Sequence, residues 1–203
     1  AGFAFMTARD IQIGHAPVLA FRVSYIGEIG WELYIPIEFV HYVYELLDGA
    51  GREFDISNIG YRAIDSLRIE KRFLAWGTDL SPDYNPLEAG LGFLIDWQKN
   101  DFLGAEALRR IKDEGVKRKL VCLALERPLA VFGGEAILIG DEPIAQTTSG
   151  NFGYTVGKSL VLGYVPVEHL KSKEFAVESF AERSNAEFIT GAAYDAERRK
   201  ILR

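Results

Sequence analysis

The chain has 203 residues, of which 48% are hydrophobic and 26% are charged, proportions typical of a folded protein with a sizeable core. Its formal net charge of −6 argues against nucleic acid or an anionic membrane surface as a partner. A single cysteine, Cys122, excludes an internal disulfide, and its apolar neighbours predict a small buried side chain and not a nucleophile.

Strands and helices are predicted in the first half of the chain from its apolar patterns. In chain order these are a strand over residues 18–25, a turn over 26–30, a strand over 31–35, a helix over 38–47 and a helix over 61–73. Gly49 and Gly51 are expected to end the first helix. Turn-forming residues predict a loop over 76–86, whereas residues 87–95 fit a helix and a strand equally well.

The second half of the chain has a different pattern, which follows a helix predicted over 105–114 and stopped by Gly115. Short apolar runs occur at residues 120–125, 136–139, 159–165 and 175–180. Turn residues separate these runs, for example at 150–151, and the pattern is typical of a small antiparallel β-barrel or sandwich. We therefore predict an α+β protein, with an incomplete α/β domain at 1–116 and a C-terminal β-barrel domain at 117–203.

Several familiar site motifs are absent or have the wrong spacing. Residues 153–159 suggest a phosphate-binding loop, but they are one residue too short and precede a predicted strand instead of a helix. His15, His41 and His169 lie far apart in sequence and show no metal-ligand spacing. Neither a dinucleotide fingerprint nor a nucleophile elbow is present. No apolar stretch reaches the ~20 residues that span a bilayer, and we expect a cytoplasmic location.

Ordered sequence blocks cover most of the chain between residues 17 and 166. The first block, residues 22–34, contains Tyr25 and Glu32 around a turn with two glycines. The later blocks lie at residues 60–71, 76–77, 86–93, 101–104, 107–108, 148–150 and 157–165. Together they resemble the glycine-cleavage T-protein (aminomethyltransferase) family. Several blocks are more similar to the T-protein-like half of sarcosine and dimethylglycine dehydrogenases than to the stand-alone protein.

The resemblance implies a folate-binding domain at 1–116 and tetrahydrofolate-dependent transfer of a one-carbon unit from an amine donor. The family's tyrosine and glutamate correspond to Tyr25 and Glu32. A carboxylate suits the amide edge of a pterin, because it accepts two parallel hydrogen bonds from adjacent N–H groups. The residues alone leave two other interpretations open: Glu32 faces solvent on an alternating strand, and Tyr25 is a core aromatic.

Two further residues are candidates for folate binding. Arg62 carries a guanidinium that suits the carboxylates of the folate tail. The family's tail-binding arginine, however, corresponds to Ile64, and two helical residues are about 200° apart. A surface ion pair between Arg62 and Asp65 is therefore the alternative. Tyr194 is a candidate for the mouth of the folate channel.

The family's catalytic aspartate belongs to a segment before Tyr25, and the 24 residues that precede Tyr25 here do not resemble that segment. Asp10, the only aspartate among them, is not equated with it. We therefore assign no catalytic residue and expect the chain to be a C-terminal fragment. The candidate partners are an upstream segment, a flavin domain and a second copy of the chain. A missing half would expose apolar surface, which favours association with a partner.

Two other functions remain open at this point. One is a non-catalytic folate-binding or scaffold module that lacks the aspartate. The other is a related demethylase that transfers a methyl group from a sulfonium donor.

Overall fold

The computed structural model describes residues 2–99 and 101–202 of the chain. Residues 1–64 and 197–203 belong to one compact unit, and residues 65–196 belong to a second. The division predicted at residue 116 stays a prediction.

The first unit contains a three-stranded antiparallel sheet formed by β1 (Ala8–Ile13), β2 (Ala16–Phe21) and β3 (Glu32–Tyr34), in that order. Ala16, Val18 and Ala20 are buried, whereas the residues between them are exposed. This alternation shows that one face of the sheet is covered and the other is open. The covered face packs against α1 (Val40–Gly51) through Val43.

The helices of the first half begin as expected but end differently. A short 3-10 turn, Ile37–Phe39, precedes α1, and α1 continues through Gly49 and ends at Gly51. A second 3-10 turn, Arg52–Phe54, follows, and Asp55 closes it in the left-handed conformation with a φ of 56°. The next helix, α2 (Tyr61–Glu70), ends three residues before the predicted end at residue 73.

The second unit contains a closed barrel of six antiparallel strands with the order β4-β7-β6-β5-β8-β9. The strands are β4 (Arg118–Leu125), β5 (Ala136–Ile139), β6 (Glu142–Gly153), β7 (Lys158–Pro166), β8 (Phe175–Ser179) and β9 (Glu182–Ile189). The helix α3 (Ala105–Glu114) precedes the barrel and ends at Gly115, which has a φ of 84°. The predicted α+β class with a small antiparallel barrel is confirmed.

The sequence of strand β4 is a continuous apolar run because both faces of the strand are buried. Val121, Leu123 and Leu125 belong to one hydrophobic cluster, whereas Leu120 and Cys122 belong to another. The second cluster also contains Ile69 of α2. Because β4 is covered on both faces, it lacks the alternation that marks a strand with one face in water.

Other parts of the prediction were wrong. The strands β1, β6 and β9 were missed, and the turn predicted at 150–151 lies inside β6. Residues 87–95 form neither a helix nor a strand, but turns and a short 3-10 segment, Gly92–Leu94.

Candidate functional site

Glu32 lies on the open face of the first sheet. In the strand register, Glu32 pairs with Phe21 and Tyr34 pairs with Leu19. Directly paired residues of antiparallel strands point to the same face. These four side chains therefore share the face opposite Val18 and α1.

The Glu32 carboxylate has hydrogen-bonding capacity that the described residues do not use. The Tyr34 hydroxyl donates to Oε2 at 3.5 Å, and no described residue donates to Oε1. The Phe21 and Tyr34 rings meet edge to face, with centroids 5.0 Å apart. An exposed carboxylate thus stands beside an aromatic pair, an arrangement that can accept N–H donors from the edge of a flat molecule.

Tyr25 lies in the connection between β2 and β3, and 37% of its surface is exposed. Gly27 has a φ of 83°, and its N–H donates to Ser24 Oγ at 3.0 Å, which shapes the turn that follows Tyr25. The pairing of Phe21 with Glu32 closes this connection, so Tyr25 and Glu32 lie at the same end of the sheet. Their roles toward folate stay predictions.

Arg62 does not form the ion pair that was considered for it. Its side chain is exposed in the first turn of α2, and Asp65 instead pairs with Arg68, with Oδ1 3.4 Å from Nε. No residue in the described ranges bonds to the Arg62 guanidinium. Ile64 is half-buried on another side of the helix. The contact between Arg62 and the folate tail therefore remains a prediction.

Tyr194 belongs to the second unit and packs against a buried cation. Its N–H donates to the Glu70 carbonyl at 3.0 Å, and Lys71 Nζ lies 5.5 Å from its ring centroid. Lys71 also bonds Asp195 Oδ2 at 2.9 Å, so the buried ammonium has an anionic partner. These contacts explain why the Tyr194 ring is held in place, and they leave its expected position at a channel mouth untested.

The segment that suggested a phosphate-binding loop is the turn between β6 and β7. The N–H groups of Thr155 and Val156 donate to Glu70 Oε1 at 2.7 Å and 3.1 Å. The protein's own buried carboxylate thus occupies the amides that a phosphate would need. Glu70 thus gives this turn a structural role in the second unit.

Sequence reasoning missed a buried polar cluster that ties α2 to the barrel. Arg68 Nη1 donates to Asp79 Oδ2 at 2.8 Å, and Arg68 Nη2 donates to Ser149 Oγ at 2.9 Å. Thr148 donates to the other Asp79 oxygen, and the Tyr164 hydroxyl donates to the Asp79 carbonyl at 2.8 Å. Burial, followed by the nearby phenol and carboxylates, raises the pKa of Tyr164. Each charge has its partner inside the cluster, so the Arg68 and Asp79 charges are satisfied within the fold.

The described residues contain no group of three potential metal ligands, and none of their helices has the length and hydropathy needed to cross a membrane. Cys122 is fully buried, as expected, and burial raises the pKa of its thiol to about 11.

Two family models match the chain in order. Residues 1–99 match the GCVT N-terminal domain, and residues 118–195 match the glycine cleavage T-protein C-terminal barrel domain. The chain is 45% identical over 168 residues to the mitochondrial dimethylglycine dehydrogenase of Rattus norvegicus, covering 82% of this chain and 20% of that protein. It is 35% identical over 208 residues to the mitochondrial sarcosine dehydrogenase of Mus musculus, covering 98% of this chain and 23% of that protein.

The fold matches a solved structure, the glycine cleavage system aminomethyltransferase T from Bartonella henselae, with a TM-score of 0.82 and 26% identity. The match covers 93% of this chain and 52% of that one. This chain therefore spans about a fifth of the dehydrogenases and about half of the transferase. The two family models and the barrel show that the chain belongs to the glycine-cleavage T-protein (aminomethyltransferase) family.

Proposed function

We propose that this chain takes part in tetrahydrofolate-dependent one-carbon transfer within an enzyme like the T-protein or the sarcosine and dimethylglycine dehydrogenases. Membership of the family supports folate-dependent one-carbon chemistry in general. The observation that carries the finer proposal is the exposed Glu32 carboxylate, which stands beside the Phe21 and Tyr34 rings with Oε1 unused by the described residues.

Glu32 binds and orients the pterin in this proposal. Its two carboxylate oxygens accept charge-assisted hydrogen bonds from adjacent N–H donors on the pterin edge. The neighbouring aromatic rings provide apolar surface for a flat ring system. When bound, tetrahydrofolate supplies the nitrogen atoms that accept the one-carbon unit. Tyr25, at the same end of the sheet, is the second proposed contact with the pterin.

Several further expectations remain predictions, because the contacts of the described residues do not bear on them. They are the identity of the amine donor, an upstream segment with the family's aspartate, a flavin domain, a cytoplasmic location and association with a second copy. Arg62 and Tyr194 are proposed contacts for the folate tail and the channel mouth. We propose no catalytic acid within this chain.

Isothermal titration with tetrahydrofolate tests the proposal, both on this chain and on a protein extended upstream in its natural gene. We expect Glu32→Gln to weaken binding at least tenfold, because it removes the charge that strengthens the two hydrogen bonds. Glu38→Gln is the matched control, since Glu38 is an exposed glutamate of the same unit outside the proposed site. The control variant should bind tetrahydrofolate with unchanged affinity.

No heat of binding in either protein, or equal affinity for Glu32→Gln and the unchanged sequence, would contradict the proposal. Binding by the extended protein without turnover would favour the non-catalytic module. Analysis of the product distinguishes the demethylase that transfers a methyl group. A sulfonium donor would yield methyltetrahydrofolate, whereas an amine donor would yield the methylene form.

A further inference from the structure

Strand β6 changes its partner midway along its length. Residues 142–146 pair with β5, whereas pairing with β7 begins only at Thr147, which lies opposite Gly163. The last three residues of β7, 164–166, pair with β4 alone. In the described part of the barrel, residues 142–146 and 164–166 therefore face each other without strand pairing. We call this opening in the barrel wall the seam.

Two prolines lie along the opening. If the ladder continued past Thr147 and Gly163, Ile144 would lie opposite Pro166, which has no N–H to donate. Pro143 on the facing strand also lacks an N–H, and the register shifts between Thr147 and Ser149. Pro143 and Pro166 therefore limit how far strand pairing could extend across the seam, because neither has an N–H to donate.

A cavity of about 530 Å³ lies at the seam. Its size falls within the range of about 300–1,000 Å³ that is usual for small-molecule sites. The wall includes Pro143, Pro166 and the rings of Tyr84 and Tyr164, which stack with centroids 3.6 Å apart and planes 4° apart. Only one lining residue, Arg118, carries a charge. The wall thus combines two aromatic rings and two prolines with polar groups and a single positive group.

Arg118 is held in place while part of its guanidinium stays available. Nε donates to Glu88 Oε1 at 3.1 Å, and Nη2 donates to the Asp83 carbonyl at 2.6 Å. The guanidinium lies 4.5 Å from the Tyr84 ring centroid, a cation–π distance. Nη1 has no acceptor among the described residues, and the Gln146 amide has no described partner either.

We propose that the seam cavity binds a small organic carboxylate with a flat apolar body, with Arg118 Nη1 and the Gln146 amide as the donors to its carboxylate. A guanidinium with two committed nitrogens and one free nitrogen is preorganised for a second anion. The Tyr84 and Tyr164 rings, together with the two prolines, offer apolar contact to the body of the ligand, and a charged ligand without such a body would not bury this part of the wall. This site lies within the barrel unit and does not depend on folate binding at Glu32.

The probe is benzoate, titrated into the full chain while backbone amide shifts are followed by ¹H–¹⁵N NMR. We expect saturable shifts at Ile144 and Gln146. Benzamide has the same shape without the charge, and it should bind at least tenfold more weakly, because the charge-assisted hydrogen bond is lost. Arg118→Gln should weaken benzoate binding by the same factor.

Arg118 also holds Asp83 and Glu88, so the thermal stability of Arg118→Gln is measured alongside. Gln146→Leu provides a second variant at an exposed position, and we expect it to weaken benzoate binding several-fold. The proposal is overturned if benzoate causes no saturable shift at the seam or if benzamide binds equally well. It is also overturned if Arg118→Gln is folded and keeps full affinity, or, where that variant does not fold, if Gln146→Leu keeps full affinity.

Discussion

At the scale of single residues, burial of Cys122 lowers the reactivity of its thiol. Its side chain is fully buried, and desolvation raises the pKa of its thiol from 9.0 to about 11, an effect that Arg72 partly offsets. A thiol that stays protonated is a poor nucleophile. We therefore expect Cys122 in the folded chain to resist alkylating reagents that label an exposed cysteine.

The raised pKa also predicts a stability loss at alkaline pH. The unfolded thiol releases its proton near pH 9, whereas the folded thiol keeps it until about pH 11. Because the folded state binds more protons in this window, its stability falls as pH rises from about 9 to 11. A shift of two pKa units corresponds to about 3 kcal/mol as an upper figure. Urea unfolding at a series of pH values measures this slope.

Cys122→Ala is the control for this prediction. The variant should be less stable at neutral pH, because it leaves a small cavity, but its stability should fall less steeply above pH 9. The Tyr164 phenol, whose pKa is also raised, still contributes to the slope in both proteins. Identical slopes for the two proteins would show that the Cys122 thiol does not cause the loss.

Residue by residue, the sequence predicted what local patterns determine. The burial of Cys122 follows from its apolar neighbours, whereas strand alternation gave solvent exposure of Glu32 only as an alternative to the folate contact. The bond between Arg68 and Asp79 joins residues 11 positions apart, and Arg68 also reaches Ser149, 81 positions away. Partners this far apart in sequence leave no periodic pattern of apolar and polar residues from which their contact could be predicted. The sequence blocks that resemble the family contained Arg68 and Ser149, but they did not reveal the contact between them.

At the scale of elements, two glycines were misinterpreted for opposite physical reasons. Gly150 was predicted to form a turn, but it lies inside β6, where an added Cβ would be 2.8–2.9 Å from Val131 and Phe132 atoms. It is a glycine because another segment approaches closely. Gly49 was predicted to end α1, but it lies within the helix, with open space around its Cα.

These two glycines predict opposite effects of the same substitution. Gly150→Ala should destabilise the chain by about 1–3 kcal/mol, because two of the clashing atoms are backbone atoms that cannot move aside easily. Gly49→Ala should stabilise it by about 0.5–1 kcal/mol, because alanine lowers the entropy cost of the helix without a clash. Urea denaturation measures both changes. A destabilising Gly49→Ala would show that the end of α1 is strained in a way its backbone does not indicate.

At the scale of the whole molecule, the fold class could be predicted because the barrel strands are apolar runs between turn residues. The missed strands β6 and β9 are rich in polar residues: four of the eight side chains of β9 are charged or carry an amide. Such a strand forms because its neighbours in the barrel pair with it. The partner change of β6 was also beyond prediction, since it depends on which strands lie beside it.

The chain exposes large apolar side chains in both units, which predicts self-association. Phe93, Leu94 and Leu103 of the second unit are 71%, 69% and 102% exposed. Exposed apolar side chains in this number are typical of proteins that bind another chain. We expect the sedimentation coefficient of the isolated chain to rise with concentration.

Phe93→Ser combined with Leu94→Ser should weaken this association at least tenfold, because it removes apolar area from the contact. Lys171→Ser, on the polar surface, should leave it unchanged. A single species at the monomer mass across the whole concentration range would contradict the prediction.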